Sequence, residues 1–393
     1  MSQLNLFEPM NQHQLSGVSS SPEVDRLLMW HSPVAIGISG GKDSGAAAWA
    51  TLDYLDRFGH RGPRLLIHSD LGRIEWADSL PTCERLAKRL GVELCIVQRP
   101  AGGMVERWMS RWDSNVQRYI DLACVKLILP WSTPSMRFCT SELKTAIICR
   151  ELIRRYPYQD IVSVAGIRRQ ESAKRAKKPI WSVQNKLTSS THQTSGIDWN
   201  SIIEWSENQV WQCHHEHGLP IHEAYSTYKT SRVSCMFCIM SSLSDLIKSA
   251  LCPGNQDVYR ELCELEITST FGFQDNQWLS DVAPKLLGDE QRHRLQVAKQ
   301  LARYRELAEN RIPEHLLYEE GWPKQLPTFS EAVLLAQVRQ EVGQLLNLPV
   351  QFTSAGTILT RYNDLMRLKA QKEQIKLERE VKVLERQQSQ LAA

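Results

Sequence analysis

The chain has 393 residues, and its 47 Lys and Arg nearly balance its 44 Asp and Glu, which leaves a formal net charge of +3. This balance excludes a polycation, so a nucleic-acid partner has to be argued from a local patch. Ten cysteines are too few for a disulfide scaffold, and no apolar stretch approaches the roughly 18 residues of a membrane span. The polar first residues do not match a secretory leader, so we expect a cytoplasmic protein with reduced thiols and no membrane contact.

Four regions follow one another along the sequence. Residues 1–24 have no periodic apolar face and predict a flexible tail. Residues 25–175 alternate short apolar strands with helices and predict a nucleotide-binding domain. Tryptophans and cysteines accumulate over residues 176–285, which we interpret as a substrate or metal region. Residues 286–393 are helix-favouring to the end, which suits either a solvated helix or one that docks a partner.

The strand and helix pattern predicts the fold class. The predicted strands are 34–39, 64–68, 92–97 and 161–165, and the predicted helices include 45–58 and 80–90. Short apolar strands separated by helices are typical of a parallel sheet that is covered on both faces. We therefore expect an α/β, doubly wound parallel sheet, followed by a cysteine-bearing region and a helical tail. Ligands of such sheets bind outside the carboxyl ends of the strands.

A glycine turn connects the first predicted strand to its helix. Its residues are Ser39, Gly40, Gly41, Lys42, Asp43 and Ser44. Glycines let the backbone approach a phosphate, and the free N–H groups and dipole at a helix N-terminus favour an anion there. The spacing differs from the common nucleotide-binding loop, because only two residues separate Ser39 from the lysine. The alternative is an ordinary turn with a surface lysine.

Two further segments carry polar groups suited to a nucleotide. Asp70, at the end of the second predicted strand, can accept a hydrogen bond from a ribose hydroxyl or help to hold Mg²⁺. The alternative is a turn without a ligand. Segment 137–144 places Arg137 and Lys144 near the thiol of Cys139. Two cations beside a thiol suit phosphate binding and a reactive sulfur, whereas the alternative is a capped helix start with a buried cysteine.

A third segment, residues 165–175, follows the last predicted strand. Gly166 permits a close backbone approach, and the guanidinium of Arg168 can bind a phosphate through two hydrogen bonds. Three nearby lysines either lie on a solvated helix face or contact a nucleic-acid backbone, and the sequence does not decide between the two. They are Lys174, Lys177 and Lys178.

Cys235 and Cys238 form a C-x-x-C pair that can share one metal. We choose Cys213 and Cys252 to complete a metal site, because both are near in sequence. Other candidates are Cys263, Cys139 if it is near in space and, for zinc, His214, His215 and His217. A redox dithiol and unligated core cysteines are the remaining alternatives, and Cys83, Cys95, Cys124 and Cys149 have apolar contexts typical of the core.

Over roughly residues 30–265 these motifs resemble the phosphoadenosine-phosphosulfate reductase family, a branch of the PP-loop ATP pyrophosphatases, also called adenine nucleotide alpha hydrolases. The resemblance implies that the amides of Gly40 to Ser44 hold a departing pyrophosphate, assisted by Lys42 and by the hydroxyls of Ser39 and Ser44. Sulfonucleotide reductases have a degenerate loop and a C-terminal catalytic cysteine motif. This chain has the full loop and lacks that motif, so the resemblance favours cleavage of ATP to AMP and pyrophosphate.

The intact loop and the C-x-x-C pair are similar to those of the sulfur-incorporating enzyme of DNA phosphorothioation and of tRNA thiolating enzymes. The resemblance implies that ATP and Mg²⁺ adenylate an acceptor, and that sulfur held at a [4Fe–4S] cluster, or a site of Zn²⁺ in the alternative, displaces AMP. We assign catalysis to Lys42, Asp43, Asp70, Arg137 and Lys144. We assign nucleotide binding to the six loop residues with Asp70, Gly166 and Arg168.

Two other functions stay open from the sequence. One is a sulfonucleotide reductase-like redox enzyme, and the other is a nucleotide-gated regulatory or defence protein that acts through a partner. The expected partners are ATP, a nucleic-acid acceptor such as DNA or tRNA, and a sulfur-donor or regulatory protein. The sequence leaves the oligomeric state open.

Overall fold

The computed structural model describes residues 17–275 and 277–391. The first sixteen residues of the predicted flexible tail lie outside the described residues. Within the rest of that tail, Ser19 already exchanges hydrogen bonds with the sheet region, because its N–H donates to Ser201 O (2.8 Å) and its carbonyl accepts from Trp199 Nε1 (2.7 Å). Helix α1 then begins at Pro22, capped by Ser21. Packed structure therefore starts before the predicted boundary at residue 24.

Six strands form one sheet. They are β1 (Val34–Ile38), β2 (Arg64–Asp70), β3 (Leu94–Gln98), β4 (Asp160–Ala165), β5 (Trp181–Val183) and β6 (Ser195–Trp199). Their order is β3-β2-β1-β4-β6-β5, and every neighbouring pair is parallel except β5 and β6. The four predicted strands are confirmed, and the strand order reverses direction between β1 and β4. In such a sheet the crevice at this reversal is the usual ligand site.

Helices cover both faces of the sheet and continue to the end of the described chain. They are α1 (Pro22–Met29), α2 (Lys42–Arg57), α3 (Ser79–Leu90), α4 (Met104–Ile120), α5 (Phe138–Thr140), α6 (Ala146–Arg155), α7 (Ala173–Ala176), α8 (Glu207–His217), α9 (Glu223–Ser226), α10 (Leu243–Leu251), α11 (Gln256–Ser269), α12 (Asp289–Glu309), α13 (Phe329–Leu345) and α14 (Ala355–Leu391). No helix among the described residues is both long and apolar enough to span a membrane.

Each face of the sheet has its own apolar core. On one face, Ala47 and Leu55 of α2 pack in a cluster with Ile36 of β1. On the other face, Leu152 of α6 packs in a cluster with Ala35. Alternate residues of β1 thus point to opposite cores, as the pleat of a strand requires. The arrangement confirms the predicted doubly wound α/β fold.

The described chain divides into two compact units. One consists of residues up to 107 together with 132–262 and contains the whole sheet; the other consists of 108–131 and 263–391 and is mainly helical. The helical unit encloses a buried Arg339, whose guanidinium donates to the carbonyls of Tyr119 (2.9 Å) and Ile120 (3.0 Å). Backbone acceptors thereby satisfy a cation that would otherwise be costly to bury.

Candidate functional site

The loop from Ser39 to Ser44 opens helix α2 at the carboxyl end of β1. Gly40 has φ +75°, and a Cβ there would lie 3.1 Å from Ser79 O, so only glycine fits without strain. Gly41 is extended and has no side chain to cap the helix. The Ser44 hydroxyl accepts from Ser39 N (3.3 Å) and donates to Gly41 O (2.9 Å), which folds the loop over the helix start. The geometry is that of an anion site at a helix N-terminus.

Lys42 lies at this helix start, and its side chain is only 4% exposed. Its ammonium donates to Ser231 O (3.0 Å), lies 3.3 Å from a carboxylate oxygen of Glu207, and lies 5.1 Å from the ring centroid of Tyr225. The loop cation is therefore held by groups more than 160 residues downstream. Sequence reasoning missed these three partners, because no motif connects them to the loop.

Asp43 and Arg168 meet beside the loop. Arg168 Nε donates to Asp43 Oδ1 (2.5 Å), and the Arg168 side chain is 4% exposed. A Cβ on Gly166 would lie 2.7 Å from Asp43 O and 2.8 Å from Ser44 Cα. Gly166 is thus needed for a close backbone approach, as predicted, but the surface it approaches is the first turn of α2. The structure brings both predicted residues of the third segment to the loop.

Asp70 ends β2, the strand beside β1, and closes a turn there. Its Oδ1 accepts from Gly72 N (2.7 Å), and Gly72 has φ +73°. In the same strand, buried His68 lies between Glu75 Oε2 (3.1 Å from Nε2) and Cys83 Sγ (3.7 Å from Nδ1). Burial opposes a charge on His68, but the hydrogen bonds with Cys83 and Glu75 outweigh it and raise the pKa of His68 to about 10.

A second buried histidine lies directly against the loop. A Cβ on Gly40 would be 3.1 Å from His222 Cδ2, and His222 Nδ1 accepts from Ala224 N (2.9 Å). Burial lowers the pKa of His222 to about 4, although the nearby Asp78 acts in the opposite direction. His222 is therefore neutral at physiological pH and serves as a hydrogen-bond acceptor.

The segment with Arg137 and Lys144 approaches the sheet through an irregular turn. Exposed Arg137 donates to Thr140 Oγ1 (3.2 Å). Residues Ser141–Thr145 then form a π-helical turn, a feature found frequently at functional sites. Lys144 lies in this turn and lines a cavity, whereas Arg137 does not line that cavity.

This cavity, of about 290 Å³, lies at the crevice between β1 and β4. Its lining combines apolar groups of the sheet and α6 with polar groups, among them Gly37, Ile67, Lys144, Ile148, Lys178 and Asp198. Burial raises the pKa of Asp198, while hydrogen bonds from Gln184 and Ser163 oppose that shift. Sequence reasoning missed Asp198, because its strand β6 was not predicted.

The C-x-x-C segment docks on the turn after β2. Met236 N donates to Ile74 O (2.8 Å), and Met240 N donates to Cys238 Sγ (3.4 Å). Burial raises the pKa of the Cys235 thiol. Lys144 opposes this shift, whereas Cys238, Glu75 and Cys139 add to it, so these groups lie within electrostatic range of Cys235.

The predicted four-cysteine metal site is not assembled. Among residues 17–275 and 277–391, no group of three or more His, Cys, Asp and Glu side chains is arranged to hold a metal ion. Helix α8 turns Cys213 into the core, where it lines a separate cavity with Trp49 and Trp205. Cys252 is buried and shares a hydrogen bond with Tyr228. The described residues thus show no site that joins Cys213 and Cys252 to the C-x-x-C pair, and their choice as its companions stays a prediction.

The alternative ligands have other surroundings. His214 Nε2 lies 2.8 Å from Lys42 O, His217 stacks on Trp49 at 3.6 Å between centroids, and Cys263 belongs to the helical unit. The cysteines predicted to be core residues, Cys83, Cys95, Cys124 and Cys149, are all buried. Cys139, another of the alternatives, adds to the raised pKa of Cys235 and so lies within electrostatic range of it.

Comparisons with known proteins support the resemblance seen in the motifs. The phosphoadenosine phosphosulfate reductase domain model matches residues 33–241. An uncharacterised 37.8 kDa protein of Escherichia phage 186 is 25% identical over 207 residues, which are 52% of this chain and 60% of the phage protein. The chain thus spans less than two thirds of that relative.

Two solved structures are similar over part of the chain. A phosphoadenylyl-sulfate reductase from Candida auris, in complex with phosphate, is 15% identical with a TM-score of 0.33 and covers 55% of this chain and 96% of its own. The U34-tRNA thiolase NcsA from Methanococcus maripaludis, with its [4Fe–4S] cluster, is 16% identical with a TM-score of 0.33. The match covers 63% of this chain and 74% of the thiolase chain. Because the domain model matches more than half of the residues, the chain belongs to the phosphoadenosine phosphosulfate reductase domain family.

Proposed function

We propose that the protein is an ATP pyrophosphatase that adenylates an acceptor for sulfur transfer. The family is one of nucleotide-binding enzymes of sulfur chemistry. The proposal of ATP cleavage rests on the intact loop at the start of α2, with Lys42 buried in it and the Asp43–Arg168 pair beside it. A degenerate loop would not provide these cationic groups around a leaving pyrophosphate.

The proposed reaction has two displacements. An acceptor oxygen forms a bond to the α-phosphorus of ATP while the bond to the bridging oxygen breaks; pyrophosphate leaves with the electron pair and the acceptor proton passes to solvent. Hydrosulfide, supplied by a sulfur donor, then bonds to the activated acceptor atom and AMP departs. In the first step the N–H groups of α2, Lys42 and Arg168 stabilise the negative charge on pyrophosphate. Asp70 is the carboxylate that we propose for Mg²⁺.

The cavity at the β1–β4 crevice is the proposed site for the nucleoside end of ATP. It begins beside Gly37, next to the loop, and its walls offer the apolar side chains of Ile67 and Ile148 to a base. Lys144 and Lys178 add positive charge to the lining. An apolar cleft with a few polar groups is what a small-molecule ligand requires.

The proposed sulfur site consists of Cys139, Cys235 and Cys238. The charges of Lys144, Cys139 and Cys238 all act on Cys235, which supports this choice, although the described residues include no group of three or more side chains arranged to hold a metal ion. When bound, such a cluster supplies an iron ion that activates a sulfur nucleophile. The residues themselves would hold the cluster and keep it next to the nucleotide loop.

The test combines metal analysis with a pyrophosphate assay. Protein purified without oxygen is analysed for iron, sulfide and zinc, and is then incubated with ATP, Mg²⁺, hydrosulfide as the sulfur donor and either DNA or tRNA. We expect pyrophosphate and AMP in equal amounts, and Lys42→Ala should abolish both products. Equal product formation by Lys42→Ala and the native protein would overturn the ATP site.

The family match favours one second candidate, a sulfonucleotide reductase-like enzyme. In that reaction a thiol reductant releases sulfite from phosphoadenosine phosphosulfate, and the thiols are oxidised to a disulfide. Sulfite formed from that substrate without ATP would identify this activity. Its absence, with ATP-dependent pyrophosphate release, would identify the first.

A further inference from the structure

One tyrosine connects the phosphate loop to the cysteine segment. The hydroxyl oxygen of Tyr225 accepts hydrogen bonds from two backbone N–H groups, those of Lys42 (3.3 Å) and Val233 (3.0 Å). Lys42 is the first residue of α2, and Val233 is two residues before Cys235. The tyrosine side chain is buried and its ring packs edge-on against Trp211, with 5.2 Å between centroids.

A second bond runs parallel to the first. The Lys42 ammonium donates to Ser231 O (3.0 Å). Lys42 thus holds residues 231–233 in two ways, directly at Ser231 and through the Tyr225 hydroxyl at Val233. Ser231 is fixed from the other side by Asp245, which accepts from its N–H (2.8 Å) and from its hydroxyl (2.6 Å). Residues 231–233 are therefore clamped between the loop and α10, immediately before the C-x-x-C pair.

The bonds to Tyr225 and Ser231 occupy the backbone N–H and the ammonium of Lys42, the two donors that a phosphate bound at the loop would use. The Lys42 N–H carries one hydrogen and cannot donate fully to Tyr225 and to a phosphate oxygen at the same time. The ammonium also gains more from a charged phosphate than from a neutral carbonyl, because charge-assisted hydrogen bonds are stronger. We infer that Lys42 and Tyr225 form a latch that pyrophosphate opens at the loop, which loosens residues 231–238 and exposes the half-buried Cys235–Cys238 pair more fully.

This latch rests on the proposed function and adds a regulation to the same site. It would hold the half-buried thiols in place until a nucleotide is bound, and the coupling is reciprocal by thermodynamic linkage. Opening the latch costs part of the binding free energy of pyrophosphate. A protein without the latch should therefore bind pyrophosphate more tightly, whereas loss of an ordinary phosphate ligand would weaken binding.

The experiment uses the full chain and inorganic pyrophosphate. Calorimetry gives the affinity, and hydrogen exchange gives the protection of amides 231–238, for the native protein, Tyr225→Phe and a control, Tyr228→Phe. Tyr228 lies three residues after Tyr225, and its ring centroid is 5.5 Å from that of Trp76. We expect Tyr225→Phe to bind pyrophosphate about 2- to 10-fold more tightly, the range that one net hydrogen bond gives.

In the native protein and in Tyr228→Phe, pyrophosphate should accelerate exchange over residues 231–238. In Tyr225→Phe these amides should exchange faster from the start and should respond less to pyrophosphate, because only the bond from the Lys42 ammonium to Ser231 O is left to open. Weaker binding by Tyr225→Phe, or native binding without any change in exchange, overturns the latch and leaves the proposed function standing. A native protein that binds no pyrophosphate overturns both.

Discussion

The carboxylate of Asp43 and the guanidinium of Arg168 form an ion pair of 2.5 Å between residues 125 positions apart in sequence. The pair connects the first turn of α2 to the segment after β4, so the two sides of the β1–β4 crevice are bonded across the loop. The arginine side chain is 4% exposed, against 19% for the aspartate. The arginine is therefore the more deeply buried charge of the two.

The first prediction concerns this pair. From the sequence alone we would expect Asp43→Ala to abolish pyrophosphate release and to spare the fold. The structure predicts that it also destabilises the protein by about 3 kcal/mol, because it leaves a buried guanidinium without its counter-charge. Urea unfolding of the native protein and the variant measures the difference. Asp53→Ala, in the same helix, is the control: its partner Arg57 is 43% exposed and stays solvated without it, so the change should cost less than about 1 kcal/mol.

The second prediction concerns Gly166. A methyl group there would press on the backbone of Asp43 and Ser44. Gly166→Ala should lower the free energy of unfolding by about 1–3 kcal/mol, as overpacking does, and should weaken pyrophosphate binding because the loop moves. Thermal unfolding and calorimetry measure the two effects. At Gly356 in α14 an added Cβ meets nothing within 4 Å, so Gly356→Ala should preserve both; an equal effect of the two changes would contradict the steric argument.

Local patterns were sufficient for much of the fold. The apolar runs and glycine turn predicted the first three strands and β4 to within a few residues, and the loop lies where its motif predicted. Strands β5 and β6 were missed, because polar Ser195 and Asp198 and the glycine between them lower the local strand signal. Pairing with β4 compensates: at Gly196 an added Cβ would lie 2.5 Å from Ile161 O, so the strand depends on close tertiary contact.

The partners of Lys42 could not be predicted from the sequence either, because they too depend on contacts between distant parts of the chain. Tyr225, Glu207 and Ser231 reach Lys42 only through the path of the chain after the sheet. The ligand choice rested on closeness in sequence, which says nothing about which face of a helix a cysteine occupies. Cys213 points into the core beside α2, whereas Cys139, almost a hundred residues away from the pair, acts on Cys235.

The third prediction tests the revised thiol set. The double change Cys235→Ser and Cys238→Ser, and the single change Cys139→Ala, should each remove most of the iron and sulfide from protein purified without oxygen. Cys213→Ala is the matched control and should retain the native content, because this thiol lies in the core. Loss of metal in Cys213→Ala without loss of helix content by circular dichroism would restore the original ligand set.

The fourth prediction follows from the depressed pKa of His222. Its pKa is about 4 in the folded protein and about 6.5 in the unfolded chain, so the unfolded chain binds the proton more readily. Stability should therefore fall as the pH drops from about 6.5 to about 4, with this residue contributing about 3 kcal/mol of the loss. His68 does not mask the effect, since its raised pKa changes stability only above pH 6.5.

His222→Asn isolates this contribution. Asparagine keeps an acceptor for Ala224 N at the start of α9 but does not titrate, so unfolding free energies measured from pH 7 to pH 4 should fall less steeply in this variant. His192→Asn, at an exposed position, should follow the native curve. If the native protein and His222→Asn lose stability in parallel, His222 is not the titrating group. A shallower curve for His222→Asn alone would identify the histidine beside the loop as the group that makes the site acid-sensitive.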